Sequence, residues 1–535
     1  MFIIDAETVR FLTEELFLGV REVAKLGDDI AIKGLDLLKE AEREGLAGIL
    51  GKLQVRRLER KGSPSSPPGQ GEATGGAPNG GGGGAHPGTH GSAVAGESLV
   101  EEVKGSDDLG LVQRSMRAYP RDPAVQEAAG HAVATMTDDD PASRGRAGGL
   151  GLLRDLAGAM RGHRGSARVQ EQACRAVRGI TVDPAHRARA EALGLVSNLT
   201  EAMRQHPGHA GVQEQACGAI VDIAFGGADT VARPGELGLL SDPALQDLAK
   251  AMRRHRENAG VQEQACRAVA NIALDPTIRA RMRDVGLLRD LAKALRRHRQ
   301  RASVQEHACR AVVNIRLGLA IRGNRTCFGL LRALASAMRN LPSHAGVQAH
   351  ACMAVRNITA GNPANQARAG EAGLLNDLAE AMRRHREDAR VQRWACGAVW
   401  NITADPANQA RAGEAGLLND LAEAMRRHRE DARVQEQGCR AVMNITDSDE
   451  NNQARAGEAG LLNHIAEAMR RHREDARAQF WACEAVGNII DCDPANQARA
   501  KAAGLPADLK AAKAAHPGNS NIQYKADCAL QSIGA

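Results

Sequence analysis

Aromatic side chains are nearly missing from this chain: 535 residues hold three Trp, two Tyr and six Phe. A core built without them must be assembled from Ala, Leu, Val and Cys, which suits thin, closely packed helices. Long apolar runs are missing too. No stretch of 18 apolar residues occurs, so nothing reads as a membrane span. The N-terminus, Met1-Phe2-Ile3-Ile4-Asp5, lacks the basic start and long apolar stretch of a secretion signal. The expected location is therefore cytoplasmic, and nuclear as well. Charge of one sign is also scarce: 70 basic against 64 acidic residues leave a net charge of +6. That balance lacks the concentrated basicity of a dedicated nucleic-acid binder, which makes nucleic acid an improbable partner.

Catalytic signatures are absent in the same way. There is no Walker A loop, no GxSxG elbow, no HExxH and no kinase Lys/His-Arg-Asp set. Neither CxxC nor Cys/His pairing at zinc-ligand spacing is present, so no metal or cofactor is expected. Carboxylates recur at repeated surface positions, where a general acid–base pair would not be multiplied. The chain reads as a non-enzyme.

What the chain does have is a phrase, Val-Gln-Glu-Gln-Ala-Cys-Arg-Ala-Val-x-Asn-Ile-x, repeated in degenerate form. It begins at Val125, Val169, Val212, Val261, Val304, Val347, Val391, Val434, Ala478 and Ile522, every 43 or 44 residues except for one step of 49. A period in the forties marks a stack of helical repeats, each unable to bury its apolar face alone. Eight cysteines share one repeat position, from Cys174 to Cys483. Neighbours at a helix spacing of about 10 Å cannot form disulfides. They read as small packing residues in a reducing compartment.

Composition divides the chain into residues 1–61, an amphipathic helical segment, 62–96, a Gly/Pro/Ser-rich disordered linker, and 97–535, the repeats. The tethered segment reads either as a separate module or as a cap on the repeats. Within one unit, Asn365 to Ala372 predicts a short polar helix stopped by Gly373. Leu374 to Arg386 predicts a second helix with Leu375, Leu378 and Met382 turned inward. Asp388 caps a third that buries Val391, Ala395, Ala398, Val399 and Ile402. Three helices per unit predict a right-handed superhelix with the third helix lining its inside. Irregular links fall at 225–245 and 316–330.

The order R-x-G-E-A-G-L-L-x-x-L followed by V-Q-x-x-A-C-x-A-V-x-N-I, as in Arg411 to Leu421 and Val434 to Ile445, resembles the armadillo repeat. In style it is similar to armadillo-repeat-containing protein six and to the armadillo-like regions of Roco-type kinases. The resemblance covers roughly residues 100–535 and implies an all-α, armadillo-like α-solenoid with a concave groove for partner proteins.

Counting each third helix from its Val as zero, positions 2, 3, 6, 9 and 10 should face the groove. Position 10 is Asn271, Asn314, Asn357, Asn401, Asn444 and Asn488. Armadillo proteins that bind extended peptides use such an Asn ladder on the ligand backbone, since an amide both donates and accepts. The alternative is an Asn that satisfies helix-end carbonyls. Position 6 lacks the Trp ladder of nuclear-signal readers and carries Arg267, Arg310 and Arg440 instead, similar to a basic groove for acidic extended segments. Against this, Glu263, Glu306 and Glu436 stand four residues earlier, poised to neutralise the stripe by helix pairs worth about 0.2–0.5 kcal/mol each. Trp394, Trp400, Phe480 and Trp481 occupy groove positions of units seven to nine and read as exposed binding anchors, unless neighbouring helices cover them.

A run of Arg-Arg-His-Arg closes the second helix repeatedly, as at Arg383 to Arg386. It could meet a polyanion such as nucleic acid or an acidic filament, or be a solvated edge that complements the helix dipole. The primary expectation is a protein–protein interaction scaffold. The alternatives are an electrostatic binder working through this edge, or a regulatory fragment of a Roco-type kinase architecture.

Overall fold

The computed structural model describes residues 90–225, 242–274, 276–315, 325–491 and 493–534. The segment 1–61, most of the expected linker and most of both irregular links lie outside them. A helix, His90–Lys104, already begins inside the stretch read as linker. Among the described residues every regular element is helical, and Ala93–Ala535 forms one compact unit. The fold is an all-α solenoid.

Unit seven shows why the sequence folds as it does. Asn362 caps the first helix, Pro363–Glu371, by accepting from the backbone N–H of Asn365, and Pro363 supplies a φ suited to the first turn. Gly373, at φ 77°, breaks the chain into the second helix, Leu374–Arg384. A side chain there would be strained by that φ and would crowd the Arg339 guanidinium at 3.1 Å. Asp388 then caps the third helix, Ala389–Ile402, accepting from Arg390 N and Val391 N. The second helix ends at Arg384 rather than Arg386. His385 leaves the helical conformation, and its freed carbonyl becomes an acceptor for the third helix.

That acceptor belongs to the most regular feature of the fold. The Gln at position 1 of each third helix is buried in nine units, and its amide reaches back to the end of the second helix. Gln392 Nε2 donates to Met382 O at 2.9 Å and His385 O at 2.8 Å. Gln170, Gln213, Gln262, Gln305, Gln435 and Gln479 repeat both bonds at 2.8–3.1 Å. The last carbonyls of any helix lack intrahelical donors, and burying them unpaired costs about 1–3 kcal/mol each. One side chain satisfies two of them.

A second buried amide ladder ties unit to unit on the opposite face. Asn408, Asn452 and Asn496 are fully buried. Each donates to the end of its own preceding third helix (Ile402, Ile445 and Ile489 O, 3.0–3.1 Å). Each also donates to the first helix of the unit before (Gln366, Gln409 and Gln453 O, 2.8–3.0 Å). Gly370, Gly413 and Gly457 sit where a Cβ would fall within 1.9 Å of those Asn oxygens, which explains the glycine in Ala-Arg-Ala-Gly-Glu.

The shared cysteines are buried and unpaired, as their packing role predicts. Burial pushes the Cys217, Cys309, Cys396 and Cys483 thiols up to about 12. In the last unit Asp527 takes their position. Its side chain is 58% exposed and paired with Lys513, so the terminal helix presents a polar face. Iodoacetamide applied to the native protein should alkylate the exposed Cys528 and spare Cys217, Cys309 and Cys396 until urea is added. Equal native labelling of all four would contradict this packing.

Candidate protein-binding groove

The third helices stack on one another, and positions 2, 3, 6, 9 and 10 are on the whole only partly buried. The Asn of position 10 is partly spent within the protein. Asn314, Asn401, Asn444 and Asn488 each donate one Nδ2 hydrogen to the position-9 carbonyl of the preceding third helix: Ala270, Arg356, Trp400 and Met443 O, at 2.7–2.9 Å. The sequence suggested carbonyls of the same helix or loop; the acceptors belong to the neighbouring unit. A second N–H and the amide oxygen of each side chain are not used in these bonds. Asn271 differs, its Oδ1 accepting from Arg310 Nη2 at 3.0 Å. Asn357 is half-buried on the same stripe.

The Arg residues of position 6 pair differently from the sequence expectation. Arg175 reaches Asp138, and Arg267 reaches Asp222, both in the preceding third helix. Asp222 also faces Arg178 at 3.7 Å, so one carboxylate serves two guanidinium groups. Arg310 bonds to the neutral Asn271, and its buried Nε has no hydrogen-bond partner. The acids meant to neutralise this stripe point elsewhere. Glu263 accepts from Ser303 Oγ. Glu306 lies against the start of the next third helix, where a Cβ on Gly346 would meet its carboxylate at 2.6 Å, with His344 and His350 each 3.9 Å away. The dipole at a helix N-terminus favours that placement.

Only Glu436 and Arg440 form the anticipated i,i+4 pair, at 3.1 Å, and they do so out of solvent's reach. Arg440 is 1% exposed. Its guanidinium lies 3.8 Å from the ring centroid of Trp400 and 4.5 Å from that of Trp481. A flat, delocalised cation stacks well on both faces. Arg440 thus stitches units seven, eight and nine together rather than standing open in the groove. The aromatic residues are correspondingly less exposed than the sequence implied. Trp394, Trp400, Phe480 and Trp481 are half-buried, and all four pack on the core. Phe480 meets Trp481 edge-on at 4.7 Å, and Arg393 lies 4.4 Å from the Trp394 ring. Their outer edges, with Met443, form the apolar part of the groove.

The Arg-Arg-His-Arg edge is mostly a seam. Arg383 donates to Asp420 at 2.9 Å and to Ala415 O at 2.8 Å, both in the next unit. Arg339, Arg253 and Arg470 repeat the pattern with Asp377, Asp290 and Asp508. His385, His428 and His472 touch carbonyls of the preceding unit (Pro342, Arg386 and Arg429 O, 2.7–2.8 Å) through Nε2, which must carry the hydrogen because a carbonyl only accepts. The polyanion alternative therefore loses most of its ligand groups. Sequence reasoning did not find this seam, although the Asp two residues after Leu287-Leu288, Leu374-Leu375 and Leu417-Leu418 was its signal.

No protein-family model matches the chain, and no curated protein matches it. Solved structures do. An engineered protein superposes with a TM-score of 0.60 at 22% identity, over 82% of this chain and 98% of that one. A chain from work on the phosphorylation switch controlling the interaction between cadherin and beta-catenin gives 0.56 at 14% identity, over 82% and 98%. A designed armadillo repeat protein in complex with the peptide (KR)4 aligns over 46% of this chain and 99% of its own, with a TM-score of 0.39 at 22% identity.

Two measurements test this geometry. Arg440→Ala leaves the buried Glu436 with Arg477 and the Gln437 amide as its partners and opens the space between two Trp rings, so it should cost about 3 kcal/mol and red-shift tryptophan fluorescence as Trp400 and Trp481 meet water. Wild-type stability and spectrum would refute the sandwich. In units five and six, burial and then the neighbouring Arg310 hold the His307 imidazole below its ordinary 6.5, against the opposing pull of Glu263 and Glu306. Burial also lowers His350, against the Gly346 carbonyl and Glu306. The folded state refuses protons that the unfolded chain accepts, so stability is full above pH 6.5 and falls as the pH drops below it. Urea titrations should show this acid loss shrinking in His307→Gln/His350→Gln; an unchanged slope would contradict it. Taken with these contacts, the superpositions at TM-scores of 0.60 and 0.56 support an armadillo-like solenoid fold, whose third helices carry an arginine stretch and an aromatic stretch.

Proposed function

We propose that this chain is a non-enzymatic scaffold that binds extended or helical segments of partner proteins along the third-helix groove. The observation that carries the reading is the divergence of the groove positions. The position-1 Gln and the shared cysteines are nearly uniform from unit to unit, whereas position 6 runs Arg175, Gly218, Arg267, Arg310, Met353, Gly397, Arg440 and Glu484. A surface that only held units together would need no such variation. Asn314, Asn444 and Asn488 keep an amide oxygen and an N–H for a ligand backbone. Arg267, which shares Asp222 with Arg178, and Arg310, hydrogen-bonded to the neutral Asn271, supply positive charge. Acidic extended segments are the partner this charge favours. A role like that of the beta-catenin neighbour, in an interaction between proteins, agrees with it. Buried, unpaired cysteines support a reducing compartment, cytoplasm or nucleus. The seam contacts of the Arg/His edge weigh against a polyanion binder.

The test is affinity capture from lysate with the full chain and with Arg310→Glu/Trp394→Ala, circular dichroism confirming equal helix content. Loss of a defined partner set in the variant supports groove binding. An identical set of captured proteins would sink it.

A further inference from the structure

The groove is not uniform along its length, and its two stretches differ in chemistry. Toward units four and five, Arg178 and Arg267 share the carboxylate of Asp222. Arg310 hydrogen-bonds to the neutral Asn271 and has a buried Nε without a hydrogen-bond partner, while Arg267 repels it and Glu306 attracts it. Cations held this way call for an external oxyanion. Around units seven to nine the groove offers the edges of Trp394, Trp400, Met443, Phe480 and Trp481. The cation slot within it, between Trp400 and Trp481, is already filled by Arg440 and neutralised by Glu436. A basic side chain from a partner therefore has no slot to enter between these rings, and Arg393 already lies against Trp394, which leaves the aromatic edges as apolar surface.

We propose that the groove reads two features of a single extended partner, an acidic cluster on Arg267 and Arg310 and an apolar side chain on the Trp394–Phe480 surface. This rests on the groove-binding reading above and adds the partner's chemistry and spacing. From the third helix carrying Arg310 to the one carrying Arg440 is three steps of the stack, roughly 30 Å at about 10 Å per packed helix. An extended chain rises about 3.3 Å per residue, so the two features sit about nine residues apart. Arg440 acts as a specificity-determining residue: by filling the two-Trp slot it sets this stretch to apolar rather than cationic side chains.

The experiment uses the full chain and fluorescein-labelled synthetic peptides read by anisotropy. They are an acidic block (Asp-Glu-Asp-Glu), an apolar block (Leu-Phe-Leu), and the two joined by Gly/Ser linkers of about two or about nine residues. Linking converts the second contact into an intramolecular one, so the long-linked peptide should bind at least about tenfold tighter than the better block. The short-linked one, unable to span the sites, should show no gain. Arg310→Gln should weaken the acidic block and the long-linked peptide and leave the apolar block unchanged. Binding of both blocks with no gain from the long linker, or binding of only one block, would overturn the two-feature inference while leaving groove binding standing. Failure of both blocks to bind would overturn the groove-binding reading beneath it.

Discussion

Everything in this solenoid depends on one constraint: helix ends that are buried between units must still have hydrogen-bond partners. A 43-residue unit with three short helices buries many termini for its size. The chain meets the demand with side-chain amides. Gln392 and its equivalents close the second helix onto the third, and Asn408, Asn452 and Asn496 close each first helix onto the unit before. Hydrophobic burial of Leu, Ala, Val and Cys supplies the driving force, but it is non-directional. The amides fix spacing and register. Charged seams such as Arg383–Asp420 and ring contacts such as His385 to Pro342 O add a further layer at the edge.

This division of labour frees the concave positions. Because the position-1 Gln is nearly invariant, positions 2, 3, 6 and 9 of the third helix can vary without loosening the stack. They do vary, from Arg and Glu in units two to five to Trp and Phe in units seven to nine. Some of that variation is absorbed internally. Gly397 leaves room for the Arg356 side chain, and Arg440 fills the gap between Trp400 and Trp481. What is left over, the arginines that share Asp222 or pair with a neutral Asn and the outer aromatic edges, is what a partner can meet.

The sequence revealed the repeat length, the three-helix unit, the glycine stop and the aspartate cap, because each leaves a local signature of periodicity or backbone conformation. The buried stripe Val391, Ala395, Ala398, Val399 and Ile402 was legible for the same reason. What it hid were contacts 37 to 45 residues apart in sequence. Asn408 looks like a surface residue of a polar helix until the neighbouring unit covers it. Arg440 looks like an open groove cation until Trp400 and Trp481 close over it. Glu263 and Glu306 stand at helix-pair spacing from their Arg, yet Ser303 and the next helix N-terminus win them instead. A polar residue at a strict repeat position can be buried, and only the stacking of units decides which.

The most direct test of the amide account is hydrogen exchange, read by mass spectrometry, on the full chain carrying Gln392→Leu. The substitution keeps apolar volume and removes both donors to Met382 O and His385 O. The account predicts faster exchange at the second-to-third helix junction of unit seven, spreading to units six and eight, with distant units unchanged. Exchange identical to that of the parent protein across unit seven would contradict it, and would return the stability of the stack to apolar packing alone.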